Sequence, residues 1–222
     1  MAMLSLRGLI LVPAIVTLGV TLLRLVGELL RWSPALFNRE AGGGGALIGI
    51  VWLIPVVGIL FGLRLAWAGQ APASVGKALG WAALAFVLNT ALAAGSFALV
   101  PSPVGQLAIF AIGSWLAILL ARRGWQDLWR VLLAYGMAAR IPVVVIMFLS
   151  IFGGWDTHYT KPRPDFPPMG PWGLFFWTAL LPQMTVWIYL TIVGGILFGA
   201  VAVAVRRLVG GADKPAPRLT YT

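Results

Sequence analysis

The chain has 222 residues, of which 60% are hydrophobic and 10% are charged, and its mean hydropathy is +0.95. Soluble domains carry about 25% charged residues, so this composition excludes a water-soluble globular protein and indicates an integral membrane protein. Cysteine is absent, which excludes disulfides, thiol catalysis and cysteine-ligated metal centres. The net charge of +10 does not indicate a nucleic-acid partner, because the basic residues flank predicted membrane spans.

Six apolar runs follow one another along the chain. They cover residues 8–30, 45–68, 76–99, 104–120, 128–152 and 172–205. A hydrocarbon core of about 30 Å needs about 20 helical residues, so each run predicts one transmembrane helix. The first run is too long for a signal peptide and has no small-residue cleavage site. We therefore predict an all-α, polytopic membrane helix bundle that forms a single domain over residues 1–222.

The connections contain helix-start and turn signals. Ser33-Pro34 predicts a capped start for one or two helical turns over residues 35–40, which the glycines of 42–45 end. Pro101-Ser102-Pro103 predicts a tight turn between the third and fourth helices. Residues 153–171 are rich in proline and predict an extended outer loop. Pro182 predicts a kink in the sixth helix.

The distribution of lysine and arginine predicts the orientation of the bundle. Ten basic residues lie on the side that holds both termini and four on the other side. By the positive-inside rule, both termini are cytoplasmic, and residues 206–222 form a cytoplasmic tail. The protein is then expected in the bacterial inner membrane, with membrane lipids as its surroundings.

Small residues recur four positions apart in several predicted helices. Such spacing lets helices approach closely in lipid, either within one chain or at a face for a homo-oligomer or membrane-protein partner. The pairs are Gly45 and Gly49, Gly58 and Gly62, Gly76 and Gly80, and Gly195 and Gly199.

Two arginines lie within apolar runs and take no part in setting orientation. Arg24 has Glu28 one helical turn away, near the outer end of the first helix. This pair has two interpretations. In one, both side chains extend to the interface and anchor the helix end. In the other, they form part of a ligand site.

Arg140 lies near the middle of the fifth helix, about 15–18 Å from either end. A charge at that depth costs at least ~2.5–3.5 kcal/mol and is a candidate functional site. Asn89 and Gln183 fall at a similar depth, and Pro142 frees the carbonyl of Ala138. Arg140 is then either a structural clamp on these groups, joining helices three, five and six, or a receptor for an anionic group of a lipid, substrate or cofactor.

No recognisable catalytic or cofactor-binding motif is present, and we predict neither a metal nor a cofactor. His158 is the single histidine, whereas a metal site needs three or four ligands. A structural or surface role is therefore expected for His158.

The stretch from Gly124 through Trp125, Asp127 and Tyr135 to Pro142 resembles bacterial Yip1-type membrane proteins. These have a glycine-containing cytoplasmic turn, an amphipathic lead-in, and then a tyrosine and a proline in the next helix. The similarity covers about one helix of six. It implies a non-enzymatic, membrane-organising or partner-binding role. Arg140 and the long outer loop depart from this pattern.

Three functional hypotheses follow. The first is a non-enzymatic accessory or lipid-binding membrane protein with a polar site in its outer half, for which Arg140, Asn89, Gln183, Arg24 and Glu28 are the candidate binding residues. The second is a small transporter or channel whose path passes Arg140. The third is a lipid-modifying enzyme that uses the outer loop near His158.

Overall fold

A computed structural model describes residues 5–44 and 46–210, and this part of the chain is all-α, without strands. Five helices are long and apolar enough to cross a membrane, and a sixth apolar helix is shorter. The predicted polytopic helix bundle is therefore confirmed, and the chain is an integral membrane protein. The helices are α1 Leu6–Leu29, α2 Leu53–Trp67, α3 Val75–Leu99, α4 Pro103–Ala121, α5 Gln126–Gly153 and α6 Pro171–Leu208. Gly45 and the tail from residue 211 onward lie outside the described residues.

Serine caps set the starts of three helices. The hydroxyl oxygens of Ser5, Ser74 and Ser102 each accept a hydrogen bond from a backbone N–H three residues later, at 3.1–3.3 Å. Pro103 follows Ser102 as the first residue of α4. Proline is tolerated there because the N–H of a first helical residue makes no hydrogen bond within the helix. The tight turn expected at this position is present, and it makes α3 and α4 an antiparallel hairpin.

The second apolar run is only partly helical. It was expected to be helical from about residue 45, but α2 begins at Leu53 and has 15 residues. A helix of this length spans ~22 Å, less than the hydrocarbon core of about 30 Å, and residues 46–52 before it are non-helical. Their backbone finds partners in the preceding loop instead of in a helix. The N–H groups of Leu47 and Ile48 both donate, at 3.1 Å, to the carbonyls of Ala35 and Leu36.

The helical turns expected over residues 35–40 are reduced to one turn. Leu36 and Phe37 both donate backbone hydrogen bonds to the carbonyl of Ser33, at 3.0 and 2.9 Å. The helix does not continue, because the carbonyls of Ala35 and Leu36 accept hydrogen bonds from the N–H groups of Leu47 and Ile48. These hydrogen bonds keep the loop packed against the bundle.

Helix α6 lies at the centre of the bundle and packs against α2, α3, α4 and α5. Its crossing with α2 uses two of the predicted glycine pairs. A Cβ on Gly58 would lie 2.6 Å from the carbonyl oxygen of Gly195, and one on Gly62 would lie 2.8 Å from Cα of Gly199. These four glycines therefore pack within the chain. At Gly80, by contrast, an added Cβ would meet nothing within 4 Å.

Helix α6 is irregular on both sides of Pro182. Residues Phe175–Leu180 form a π-helix, in which the N–H of Leu181 donates to the carbonyl of Phe176. Pro182 contributes no N–H, and the helix breaks at Thr185, where φ is −122° and ψ is −75°. The predicted kink is thus spread over about ten residues. Single π-turns of this kind often occur at functional sites.

The two long loops pack on each other at one end of the bundle, which we call the loop face. One loop comprises residues 30–44 and 46–52, and the other comprises residues 154–170. Arg39 of the first loop forms an ion pair with Asp156 of the second, and short 3-10 turns at 41–43 and 158–160 contact each other. Together the loops cover the ends of α1, α5 and α6.

Candidate functional site

A cavity of about 550 Å³ lies beneath the two loops, between α1, the non-helical residues 46–52, α5 and α6. Two arginines from different helices contribute to its lining, and we call it the arginine cavity. Its polar and aromatic wall includes Arg24, Arg140, His158, Tyr159, Gln183 and Trp187. Non-helical backbone is tolerated at membrane depth where it lines a cavity, which explains the position of residues 46–52 here.

Arg140 enters the cavity from α5 and is only 4% exposed. Its Nη1 donates a long hydrogen bond of 3.4 Å to Oε1 of Gln183. Its guanidinium carbon lies 4.8 Å from the ring centroid of Trp187. Its Nε is buried and has no hydrogen-bond partner among the described residues. The guanidinium therefore has neutral partners, and within the described part of the chain it forms no ion pair.

Asn89 does not join this group. It is 2% exposed, and its Nδ2 donates to Oγ of Ser114 at 3.2 Å, across the α3–α4 interface. Of the two side chains expected to clamp Arg140, Gln183 is therefore present and Asn89 is elsewhere. Depth along a helix is readable from the sequence, but the direction in which Asn89 points was decided by the packing of α3 on α4.

Arg24 and Glu28 point into the protein rather than toward the interface. Arg24 is 8% exposed and Glu28 is fully buried. Nε of Arg24 lies 2.8 Å from Oε1 of Glu28. Its Nη1 and Nη2 donate to the backbone carbonyls of Ile48 and Asn38, at 2.8 and 3.1 Å. The interpretation of a pair extending to the interface is therefore wrong, because the first loop folds back over the helix end and offers the carbonyls of Asn38 and Ile48 to Arg24.

Glu28 also joins the second loop to α1. Its Oε2 accepts a hydrogen bond from the backbone N–H of His158 at 2.9 Å, and its Oε1 lies 2.6 Å from Nδ1 of the same residue. Burial lowers the pKa of His158, and the nearby Glu28 carboxylate partly offsets this effect. Since Arg24 and His158 both contact the Glu28 carboxylate, its charge is already matched locally. Among the described residues that line the cavity, Arg140 is the arginine without a carboxylate partner.

The sequence did not identify Trp187, Tyr159 or the backbone of residues 46–52 as parts of this site. Tyr159 is 6% exposed, and burial raises the pKa of its phenol. A weak signal was available in the four consecutive glycines of 42–45, which disfavour a helix that starts directly at residue 46. No group of three or more potential metal ligands occurs among the described residues.

Comparisons with family models, curated proteins and solved structures found no match to this chain. The resemblance to Yip1-type proteins therefore stays a prediction.

Proposed function

We propose that this integral membrane protein is a non-enzymatic binding protein that holds an anionic group in the arginine cavity. The main support for this proposal is the environment of Arg140. Its side chain is 4% exposed, its Nε has no hydrogen-bond partner, and it has no carboxylate partner among the described residues. Removing a guanidinium from water is costly unless charge-assisted hydrogen bonds replace its hydration. A phosphate or carboxylate supplies such bonds, often in pairs, to the fork of an arginine.

The surroundings of Arg140 support an anion rather than a cation as the ligand. Arg24 lines the same cavity, and Glu28 is engaged by Arg24 and by His158. An incoming anion therefore meets net positive charge inside a protein-lined space, where electrostatic attraction is stronger than in water. By the positive-inside prediction the loop face is outward, and we place the protein in the bacterial inner membrane as an accessory or membrane-organising subunit.

A transporter is the second candidate, and the irregular backbone at the cavity favours it. Residues 46–52 are non-helical, and α6 is interrupted beside Gln183. Discontinuous helices often form the substrate sites of transporters. A path past Arg140 and Gln183 would not include Asn89, which lies at the α3–α4 interface.

The test is a binding measurement on purified, delipidated protein. Wild type is titrated with inorganic phosphate by thermal shift and with phosphatidylglycerol by native mass spectrometry, using phosphatidylcholine as the zwitterionic reference. Arg140→Gln should reduce binding of both anionic probes at least tenfold. The matched control is Arg123→Gln, because Arg123 also stacks on a tryptophan, 5.3 Å from the ring of Trp81, but lies exposed at the opposite end of the bundle.

Arg123→Gln should leave binding unchanged. Equal binding of both anionic probes by wild type and Arg140→Gln would overturn the proposal. Uptake of a labelled anion into proteoliposomes, abolished by Arg140→Gln, would favour the transporter over the binding protein.

A further inference from the structure

A second cavity of about 290 Å³ adjoins the arginine cavity and has a different lining. Its wall is mostly apolar and comes from α4, α5, α6 and the second loop. We call it the annex, and its apolar lining includes Leu107, Met147, Phe166, Trp177 and Pro182. The larger cavity falls within the usual range for ligand pockets, about 300–1,000 Å³, and the annex lies just below the lower bound of that range.

The two cavities share a wall, and Arg140 is attached to it. Tyr159, Gln183 and Trp187 line both cavities. Arg140 donates to Gln183 and stacks over Trp187. An anionic group bound to Arg140 therefore lies at the boundary between a positively charged cavity and an apolar one.

The lysine and the arginine that line the annex lie close to acids and are partly exposed. Lys161 lies 3.3 Å from Asp156, a carboxylate that Arg39 also contacts, and Arg163 forms an ion pair with Asp165. Among the described residues, the buried arginine without a carboxylate partner is Arg140, and the space next to it is lined mostly by apolar side chains.

We infer that the ligand is an anionic membrane lipid, with its headgroup on Arg140 in the arginine cavity and one acyl chain in the annex. This inference rests on the proposed function and goes beyond it, since a free inorganic anion would fill the first cavity and leave the annex unused. A phosphate headgroup forms charge-assisted hydrogen bonds with the guanidinium. Each methylene that enters the annex adds van der Waals contacts with its apolar wall, which makes affinity depend on chain length.

The test compares three probes on two matched variants. Leu107→Trp places a larger side chain in the annex, whereas Leu116→Trp changes the same helix at a position that is 61% exposed. Leu107→Trp should weaken binding of dioleoyl phosphatidylglycerol at least tenfold in native mass spectrometry and leave the thermal shift by inorganic phosphate unchanged. Leu116→Trp should change neither. In wild type, affinity should rise from dihexanoyl to dioleoyl phosphatidylglycerol.

The outcomes separate this inference from the proposed function. If Leu107→Trp binds long-chain phosphatidylglycerol as wild type does, or if affinity in wild type does not depend on chain length, the annex is not an acyl site and the inference fails alone. If Arg140→Gln keeps full binding of phosphate and lipid, the proposed function fails as well. Should Leu107→Trp not fold, the chain-length series on wild type decides.

Discussion

Arg140 and Arg24 are identical side chains that line one cavity, yet their surroundings give them different roles. Arg24 has the carboxylate of Glu28 at 2.8 Å and two backbone carbonyls, so it holds the first loop onto α1. Arg140 has an amide and an indole ring, so its charge is poorly matched. The first arrangement contributes to stability, whereas the second lowers it and is the one that we propose binds an anion.

Replacing Arg140 by a methionine should therefore stabilise the protein. Arg140→Met removes a buried, unmatched charge while keeping an apolar side chain, and such replacements are often neutral or stabilising. A gain of about 1 kcal/mol would raise Tm by about 2–4 °C for a chain of this size. Thermal unfolding in detergent, without added lipid, measures the change. A clear fall in Tm would mean that Arg140 is a structural clamp.

Removing the charge of Glu28 should have the opposite effect. Glu28→Gln leaves Arg24 buried without its carboxylate and weakens the contact with His158, and breaking a buried pair in this way costs about 3–5 kcal/mol. The control is Asp127→Asn, which affects a partly exposed pair with Arg130 at 3.7 Å, and a pair of this kind contributes at most about 1 kcal/mol. Thermal unfolding of both variants tests the difference. Equal losses of stability would contradict a structural role for the Glu28 cluster.

At the scale of helices, the crossing of α2 and α6 depends on glycine. The two backbones approach so closely at Gly58 and Gly195 that an added Cβ would lie 2.6 Å from a carbonyl oxygen. Because a backbone group cannot move aside as a flexible side chain does, the helices would have to separate. This contact fixes α6 against α2, and with it the position of Gln183 and Trp187 beside Arg140.

Gly58→Ala should therefore destabilise the bundle by about 1–3 kcal/mol, as is typical of overpacked cores. Gly80→Ala is the matched control, since Gly80 is also helical and its added Cβ would meet nothing within 4 Å. Alanine favours helix over glycine by about 1 kcal/mol, so the control should be neutral or slightly stabilising. Denaturation in detergent compares the two variants, and a stabilised Gly58→Ala would rule out the close crossing.

At the scale of the whole molecule, the loops, the cavities and the charge asymmetry divide the bundle into two unlike ends. The loop face carries both long loops and both cavities. The opposite end carries most of the basic residues that flank the helices. In the predicted orientation, the proposed site at the loop face is accessible to lipids of the outer leaflet or to partners outside the cytoplasm.

The absence of cysteine allows a direct test of orientation. Single cysteines at Pro167, in the second loop, and at Ala73, between α2 and α3, are both exposed and leave the charge distribution unchanged. A membrane-impermeant maleimide should label Pro167→Cys in intact spheroplasts and label Ala73→Cys only after lysis. The reverse pattern would overturn the predicted orientation.

The sequence by itself determined that the chain is a membrane protein and where its apolar runs lie. It also singled out Arg140 as a charged residue within a run, which the positive-inside rule does not explain. Each of these follows from local properties, because lipid selects apolar segments one at a time. The depth of a side chain along its helix could also be predicted from the sequence. Gln183 was expected at the level of Arg140, and the two side chains are in contact.

Tertiary structure decided which of these side chains meet. In the folded protein, Arg24 and Glu28 point inward, and Asn89 contacts Ser114. Trp187 and Tyr159 lie in the wall that the two cavities share. Tertiary structure also left residues 46–52 non-helical, because Leu47 and Ile48 donate to the carbonyls of Ala35 and Leu36 and Arg24 donates to the carbonyl of Ile48. The physical reason is that helix rotation and loop docking depend on contacts between segments far apart in the chain, and hydropathy does not record such contacts.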